Sequence, residues 1–162
     1  MSDSLPVYEP QSGSHEPLQL WHVFVENRPK PANPPDNLQD IFRVGDLLFG
    51  STLEGALGIL DANLITRVVS APSQRMAYLV LPSGGKQVAN KYLCLMPHND
   101  GNYYCSCRSF LEKNSRSTSL QLCKHLLALE LMPLVGVTCT TMETLTDEEF
   151  GRVLVTQAAP PT

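Results

Sequence analysis

Cys105-Ser106-Cys107 and, fifteen residues later, Cys123-Lys124-His125 are two tight pairs of metal-binding residue types in the second half of the chain. Zinc needs four thiolate or imidazole donors at the corners of a tetrahedron, and these pairs supply four. The alternative, ordinary buried thiols and one core histidine, requires two chance pairings in a chain with five cysteines and four histidines. We therefore predict one zinc ion bound by Cys105, Cys107, Cys123 and His125. Since no corner is left for water, the ion is expected to be structural rather than catalytic.

The geometry of helices and strands places the two pairs differently. Cysteines at i and i+2 on a strand face the same side, so Cys105 and Cys107 can reach one ion from a strand end. Positions i and i+2 inside a helix point to nearly opposite sides, so Cys123 is expected at the N-cap or first turn, with His125 just inside the helix. The ion should thus clamp a strand end to a helix start, with the 108–122 loop passing over it.

Basic residues accompany this site along the chain. They are Arg108, Lys113, Arg116 and Lys124. Three thiolates around a divalent cation leave a net charge of about −1, which these residues can offset. They can also be interpreted as a patch that contacts DNA or a partner, with Phe110 or Tyr104 stacking on a base of single-stranded DNA. Both interpretations stay open on the sequence.

Composition limits the functional class. The chain has 43% hydrophobic and 17% charged residues, as expected for a globular protein, and a formal net charge of −4. That charge argues against a protein that binds nucleic acid unaided through a broad basic surface. An odd cysteine count and a start without a signal-peptide pattern favour a reducing, intracellular compartment. We expect no membrane association, no small-molecule substrate and no enzymatic activity.

The chain divides into three parts by composition. Residues 1–36 hold seven of the 13 prolines and are predicted to be an extended or partly disordered leader. Within it, residues 18–25 contain the only tryptophan, Trp21, and are interpreted as a strand that packs on the protein's own core or docks on a partner. Residues 37–157 are predicted to form one domain, with the zinc finger at about 92–130. Residues 158–162 are predicted to be a frayed tail.

Apolar periodicity predicts an α+β domain. A helix is expected from residue 37 to 49, followed by one that a Ser51–Glu54 capping box starts and that buries Leu53, Ala56, Leu57 and Leu60. Strands at 64–70, 76–81, 87–96 and 103–107 should form a small antiparallel meander. A helix at 123–132 follows the zinc ligands, and a Thr146–Glu149 capping box starts the C-terminal helix. Cys94 is interpreted as core packing.

The two Cys/His pairs resemble the SWIM zinc finger, and the flanking sequence is similar to one family in particular. The stretches that carry this resemblance are Leu48-Phe49-Gly50-Ser51 and residues 56–61, 65–73, 103–107 and 122–128. Together they resemble the small SWIM-domain subunit of the Shu complex, the SWIM domain-containing protein seven family, over residues 40–157. The zinc-ligand roles carry over to Cys105, Cys107, Cys123 and His125.

The resemblance implies a non-enzymatic nuclear protein that promotes homologous recombination repair of DNA double-strand breaks. Family members pair with a RecA-like recombinase paralogue, in a heterodimer or a larger Shu complex, and support recombinase filament assembly on single-stranded DNA. Alternatives are a finger that binds single-stranded DNA directly and an accessory subunit of a ubiquitin ligase. The expected partner interface, for which self-burial of the helix is the alternative, comprises Leu126, Leu127, Leu129, Leu131 and Trp21.

Overall fold

The computed structural model describes residues 16–28, 38–82, 91–97, 102–139 and 141–158. Within these ranges the chain forms helices and strands in a mixed order, which confirms the predicted α+β class. In chain order they are α1 (Pro17–Asn27), α2 (Leu38–Phe49), α3 (Ser51–Asp61), β1 (Ile65–Ala71), β2 (Met76–Val80), β3 (Tyr92–Leu95), β4 (Tyr104–Cys105), α4 (Arg108–Ser115), α5 (Lys124–Leu131), β5 (Thr141–Thr146) and α6 (Asp147–Gln157).

The strands form one five-stranded sheet in the order β4-β3-β2-β1-β5. Strands β1 to β4 are the predicted antiparallel meander. The expectation of a purely antiparallel sheet is wrong at one edge, where β5 runs parallel to β1 from Thr66 opposite Thr141 to Ala71 opposite Thr146. Parallel neighbours need a crossover connection, and here the chain between β1 and β5 passes through β2, β3, β4, α4 and α5. The sequence did not reveal β5 because most of its side chains are exposed, so it has no alternating apolar pattern.

Helices α2 and α3 follow each other with a single residue between them. The predicted helix over residues 37–49 is confirmed for Leu38–Phe49, and Gly50 ends it with φ at +51°, a value that glycine adopts readily. The predicted capping box at Ser51 is wrong, because Gly50 occupies the N-cap position and Ser51 is already the first helical residue. Helix α3 buries Leu53, Ala56, Ile59 and Leu60, whereas Leu57, which was predicted to be buried, is only partly so.

The segment around Trp21 is helix α1, so the predicted strand and the extended conformation are wrong over residues 17–27. Pro17 fits the first helical position, and Leu18 and Trp21 recur at helical spacing. The indole is fully buried, with ring centroids 5.7 Å from Phe24 and 5.5 Å from Phe49. Packing of this segment on the protein's own core is therefore confirmed.

A polar chain ties α1 to the strand that enters the zinc region. His22 Nε2 lies 3.1 Å from the Tyr103 hydroxyl, which donates a 2.5 Å hydrogen bond to Glu130 on α5. Residues 1–15 and 29–36 of the predicted leader, the start of the third predicted strand at 87–90, and residues 159–162 of the tail lie outside the described residues.

The sheet separates two hydrophobic clusters. The larger cluster joins one sheet face to α1, α2, α3 and α5. On the other face, Phe150 of α6 packs with Val68, Ala77, Leu79 and Leu93.

The predicted Thr146–Glu149 capping box is confirmed: the Glu149 N–H donates to Thr146 Oγ1 at 3.2 Å, and the Thr146 N–H donates to the Glu149 carboxylate at 2.8 Å. Among the described residues, no helix combines the length and apolarity that a membrane span requires.

Candidate metal centre

The four predicted zinc ligands come together at the junction of one strand and two helices. Cys105 ends β4, Cys107 is the N-cap of α4, Cys123 is the N-cap of α5, and His125 lies in the first turn of α5. The expected positions of Cys123 and His125 are therefore confirmed. All four side chains are buried, and their donor atoms lie within 4.8 Å of one another.

The separations between donor atoms fit a tetrahedral zinc ion. Sγ of Cys105 lies 3.7 Å from Nδ1 of His125, and Sγ of Cys123 lies 3.8 Å from the same nitrogen. Zn–S and Zn–N bonds of normal length at a tetrahedral angle place such atoms about 3.6 Å apart. Backbone groups support the sulfurs, since the Cys107 N–H donates to Cys105 Sγ at 3.5 Å and the Phe110 N–H donates to Cys107 Sγ at 3.4 Å. The donor set thus fits one zinc ion held through Nδ1.

The chemistry of the three thiols also calls for a cation. A hydrogen bond from the Cys105 thiol lowers the pKa of Cys107. The hydrogen bond to Cys107 in turn raises the pKa of Cys105, and one to Cys105 raises the pKa of Cys123. The three thiols therefore do not ionise independently of one another. A divalent ion removes this dependence because it stabilises all three thiolates together.

Two side chains that the zinc pattern does not include support the ligands. Cys94 lies opposite Cys105 across the β3–β4 pair, and its thiol donates to Cys105 Sγ at 3.6 Å. The ring of Tyr92 packs on the His125 ring with centroids 4.4 Å apart. Cys94 is fully buried, as its interpretation as core packing requires, and its hydrogen bond to a ligand sulfur also helps to orient that ligand. Only the strand register could have revealed that contact.

The segment between the ligand pairs is not simply a loop, because residues 108–115 form helix α4. The sequence concealed this helix because its residues are mainly polar and only Phe110 is buried. Phe110 packs edge-on against Tyr104, with ring centroids 6.2 Å apart, and the Tyr104 hydroxyl bonds to the Ala158 carbonyl. Phe110 is only 6% exposed, so the predicted stacking of a DNA base on it is wrong for this conformation. Tyr104 is half-buried, and base stacking on it stays a prediction.

The basic residues of the predicted patch divide into two groups. Arg108, Lys113 and Lys124 line a cleft of about 330 Å³ beside the zinc ligands, whereas Arg116 is exposed and is not among the residues that line it. Lys124 is half-buried, and its aliphatic chain covers Gly55, where an added Cβ would lie 3.1 Å from Lys124 Cδ. The cleft is lined by Ser51, Thr52, Tyr92, Cys107, Arg108, Ser109, Lys113, Cys123, Lys124 and His125.

The apolar residues predicted to contact a partner lie inside the protein. Leu126, Leu127, Leu129, Leu131 and Trp21 are all buried in the larger cluster. Helix α5 is apolar nearly all round because its own chain surrounds it, so the partner interface expected there is wrong for this conformation and the self-buried alternative is observed. The large apolar side chains exposed among the described residues are Leu20, Val23, Leu47, Met142 and Val155.

Comparison with known proteins points to one family. The chain is 36% identical over 108 residues to zinc finger SWIM domain-containing protein 7 of Homo sapiens. The matched region covers 67% of this chain and 69% of that relative. It is 31% identical over 123 residues to the protein of that name in Danio rerio, covering 76% and 78%. The Mus musculus protein is 39% identical over 90 residues, or 56% of this chain, which spans about half (53%) of that relative.

No family model matches the chain, and no solved structure matches it significantly. The relatives nevertheless share one name. Two of them are 36% and 31% identical to this chain, and the matches cover more than two thirds of each relative's length. The buried Cys/His donor set agrees with the zinc finger in that name. The chain therefore belongs to the family of zinc finger SWIM domain-containing protein 7.

Proposed function

We propose that this chain is a non-enzymatic, zinc-binding subunit of a Shu-type complex that promotes homologous recombination repair of DNA double-strand breaks in the nucleus. It acts through a RecA-like recombinase paralogue and supports assembly of the recombinase filament on single-stranded DNA. Family membership and the SWIM pattern of its zinc ligands support this proposal.

The observation that carries the proposal is the closed metal centre. All four donors are buried and occupy the four corners that zinc uses in structural sites, so no coordination position is left for a substrate. The ion would join the end of β4 to the starts of α4 and α5. A site of this kind contributes folding energy rather than chemistry, which suits a protein whose role is to present a surface to partners.

The surface for a RecA-like partner must use residues other than α5. Exposed apolar side chains are candidates, because protein interfaces bury such groups at their centre. Leu47 on α2 is 84% exposed and Val155 on α6 is 78% exposed, and they belong to opposite sides of the sheet. Replacing either with aspartate should leave the fold intact and place a charge on one face only.

Co-expression with a RecA-like paralogue tests the proposal. We expect an equimolar complex that persists at high salt, and we expect either Leu47→Asp or Val155→Asp to weaken it while the other serves as the matched control. Zinc content and melting temperature should equal those of the wild type in both variants. Elution of this chain as a monomer in the presence of the paralogue would refute the proposed assembly.

A second candidate function is direct binding of single-stranded DNA. The observation that favours it is the convergence of Arg108, Lys113 and Lys124 on one cleft. This function predicts binding by the isolated chain that weakens steeply as salt is added, because neutralised phosphates release counterions. Absence of binding at low salt would exclude it and leave DNA contact to the partner.

A further inference from the structure

Three helices begin at the cleft beside the zinc ligands. Its lining includes Ser51 and Thr52 at the start of α3, the first residues of α4 at 108–109, and those of α5 at 124–125. A helix N-terminus carries a partial positive charge and backbone N–H groups without intrahelical partners, so it favours anions. Convergence of three such termini adds their effects in one place.

Two of these termini lack a side-chain cap. The N-cap residues of α3 and α5 are Gly50 and Cys123, and neither accepts a hydrogen bond from its helix through a side chain. Helix α4 differs, since Cys107 Sγ accepts the Phe110 N–H. The starts of α3 and α5 at the cleft therefore have no capping side chain, although the Leu53 N–H in α3 donates to the Gly50 carbonyl at 2.9 Å.

The side chains that line the cleft also favour an anion. Arg108, Lys113 and Lys124 contribute positive charge, the hydroxyls of Ser51, Thr52 and Ser109 can donate, and no aspartate or glutamate is among the lining residues. This is notable in a chain of net charge −4. Glu112 pairs with Arg108 at 2.6 Å, but both side chains are largely exposed, so this pair is weak and a ligand can compete for the guanidinium.

His125 adds an independent observation. Its ring lines the cleft, the side chain is only 4% exposed, and Nε2 is buried without a hydrogen-bond partner among the described residues. When Nδ1 binds zinc, Nε2 carries the proton, and metal-bound histidines nearly always donate this proton to an acceptor. In this conformation Nε2 exposes almost no surface, so an anionic oxygen in the cleft reaches it only after a shift of the surrounding side chains.

We propose that this cleft binds a phosphate group. Its volume of about 330 Å³ lies at the lower end of the range for ligand pockets, and its donors are those that proteins use for phosphate. The three thiolates beneath leave the zinc centre at about −1. Glu112, the partner of Arg108, adds another negative charge, so the three basic side chains leave the cleft with an excess of about one positive charge. That the phosphate belongs to single-stranded DNA rests on the proposed function; free phosphate has the same chemistry.

Titration of the zinc-loaded chain with inorganic phosphate tests the site itself. Amide NMR spectra should show saturable shifts at Ser51, Thr52, Ser109 and His125, with sodium chloride at equal ionic strength as the control. Shifts that match those in chloride, or that spread over the whole chain, would overturn the proposal. The complex with the RecA-like paralogue could still form in that case, so failure here does not remove the proposed function.

Variants with a labelled oligo(dT) strand test the source of the phosphate. We expect Arg108→Ala and Lys113→Ala each to weaken binding about three- to tenfold and to reduce the salt slope by about 0.7. Arg152→Ala is the matched control, because Arg152 also forms an exposed i,i+4 pair, with Glu148. Arg116→Ala should have a smaller effect, since Arg116 does not line the cleft.

Ser109→Glu provides a variant that should keep the fold. An acidic residue in the first turn is favourable for α4, yet it places a negative charge in the cleft, so binding should fall while zinc content and melting temperature are retained. Equal oligo(dT) affinity of the Arg108→Ala, Ser109→Glu and Arg152→Ala proteins would refute binding at this cleft. Binding of inorganic phosphate without oligo(dT) would support the site and exclude DNA as its source.

Discussion

Replacement of Cys107 by serine should remove zinc and disrupt the larger cluster, not merely loosen one loop. The clamp holds the start of α5, which carries the fully buried Leu126, Leu127 and Leu131. Each such side chain contributes roughly 1.5–3 kcal/mol by burial, so release of α5 forfeits roughly 5–9 kcal/mol. That is comparable to the total stability of a domain, about 5–15 kcal/mol.

Cys94 provides a matched control for this prediction. It is as deeply buried as the ligands and lies 3.6 Å from Cys105 Sγ, but it is not one of the four donors. Cys94→Ala should cost about 1–2 kcal/mol, the usual range for loss of a buried group, and should retain one zinc per chain. The two variants thus remove similar buried sulfurs with different consequences.

The assays are zinc content by elemental analysis and unfolding followed by circular dichroism, with and without a strong chelator. We expect the wild type and Cys94→Ala to contain one zinc per chain and to lose helical signal on chelation. We expect Cys107→Ser to resemble the chelated wild type from the start. A Cys107→Ser protein with a full complement of zinc and the stability of Cys94→Ala would refute the assignment of the ligands.

Three further predictions concern other parts of the fold. Trp21→Ala should cost about 3–5 kcal/mol in urea unfolding if α1 is part of the core, whereas Leu20→Ala on its exposed side should change stability by less than about 0.5 kcal/mol. Thr146→Ala should cost about 1 kcal/mol through loss of the α6 cap, and an unchanged melting temperature would contradict the observed capping box. The Thr146 backbone N–H and then its hydroxyl lower the pKa of Glu149, so the stability that this carboxylate contributes is present above its ordinary pKa and is lost as pH falls through the lower, folded value. Wild type and Glu149→Gln should therefore differ in melting temperature at neutral pH and converge in acid; a constant difference would show that ionisation is not involved.

Local sequence was sufficient wherever a structural feature depends on nearby residues. The paired spacing of the zinc ligands, the apolar periodicity of α2 and the capping box at Thr146 each involve a few residues in a row, and all three are confirmed. The same reasoning was wrong at Ser51. Gly50, with positive φ, ends α2 and is itself the N-cap of α3, so Ser51 is the first helical residue and not the cap. A capping pattern indicates only where a helix start is favourable. Where the helix actually starts also depends on the backbone of the preceding residues.

Sequence also failed where side-chain burial had to be known first. Strand β5 presents mostly exposed side chains and is held by backbone pairing to β1, so no apolar alternation marks it. Helix α4 has one buried residue, Phe110, and its polar surface resembled a loop. Helix α1 was predicted as a strand from its apolar residues, although Pro17 and the helical spacing of Leu18 and Trp21 are compatible with the helix that is observed.

The sequence by itself determined the four zinc ligands, because a tetrahedral ion needs a fixed number of donors of a recognisable type. It also determined that α5 follows them directly. Only the tertiary structure decided that α5 is enclosed by its own chain and that the starts of α3, α4 and α5 meet at one cleft. The physical reason is that a helix start is a local property, whereas the meeting of three helix starts depends on packing between residues as far apart as Ser51 and Lys124.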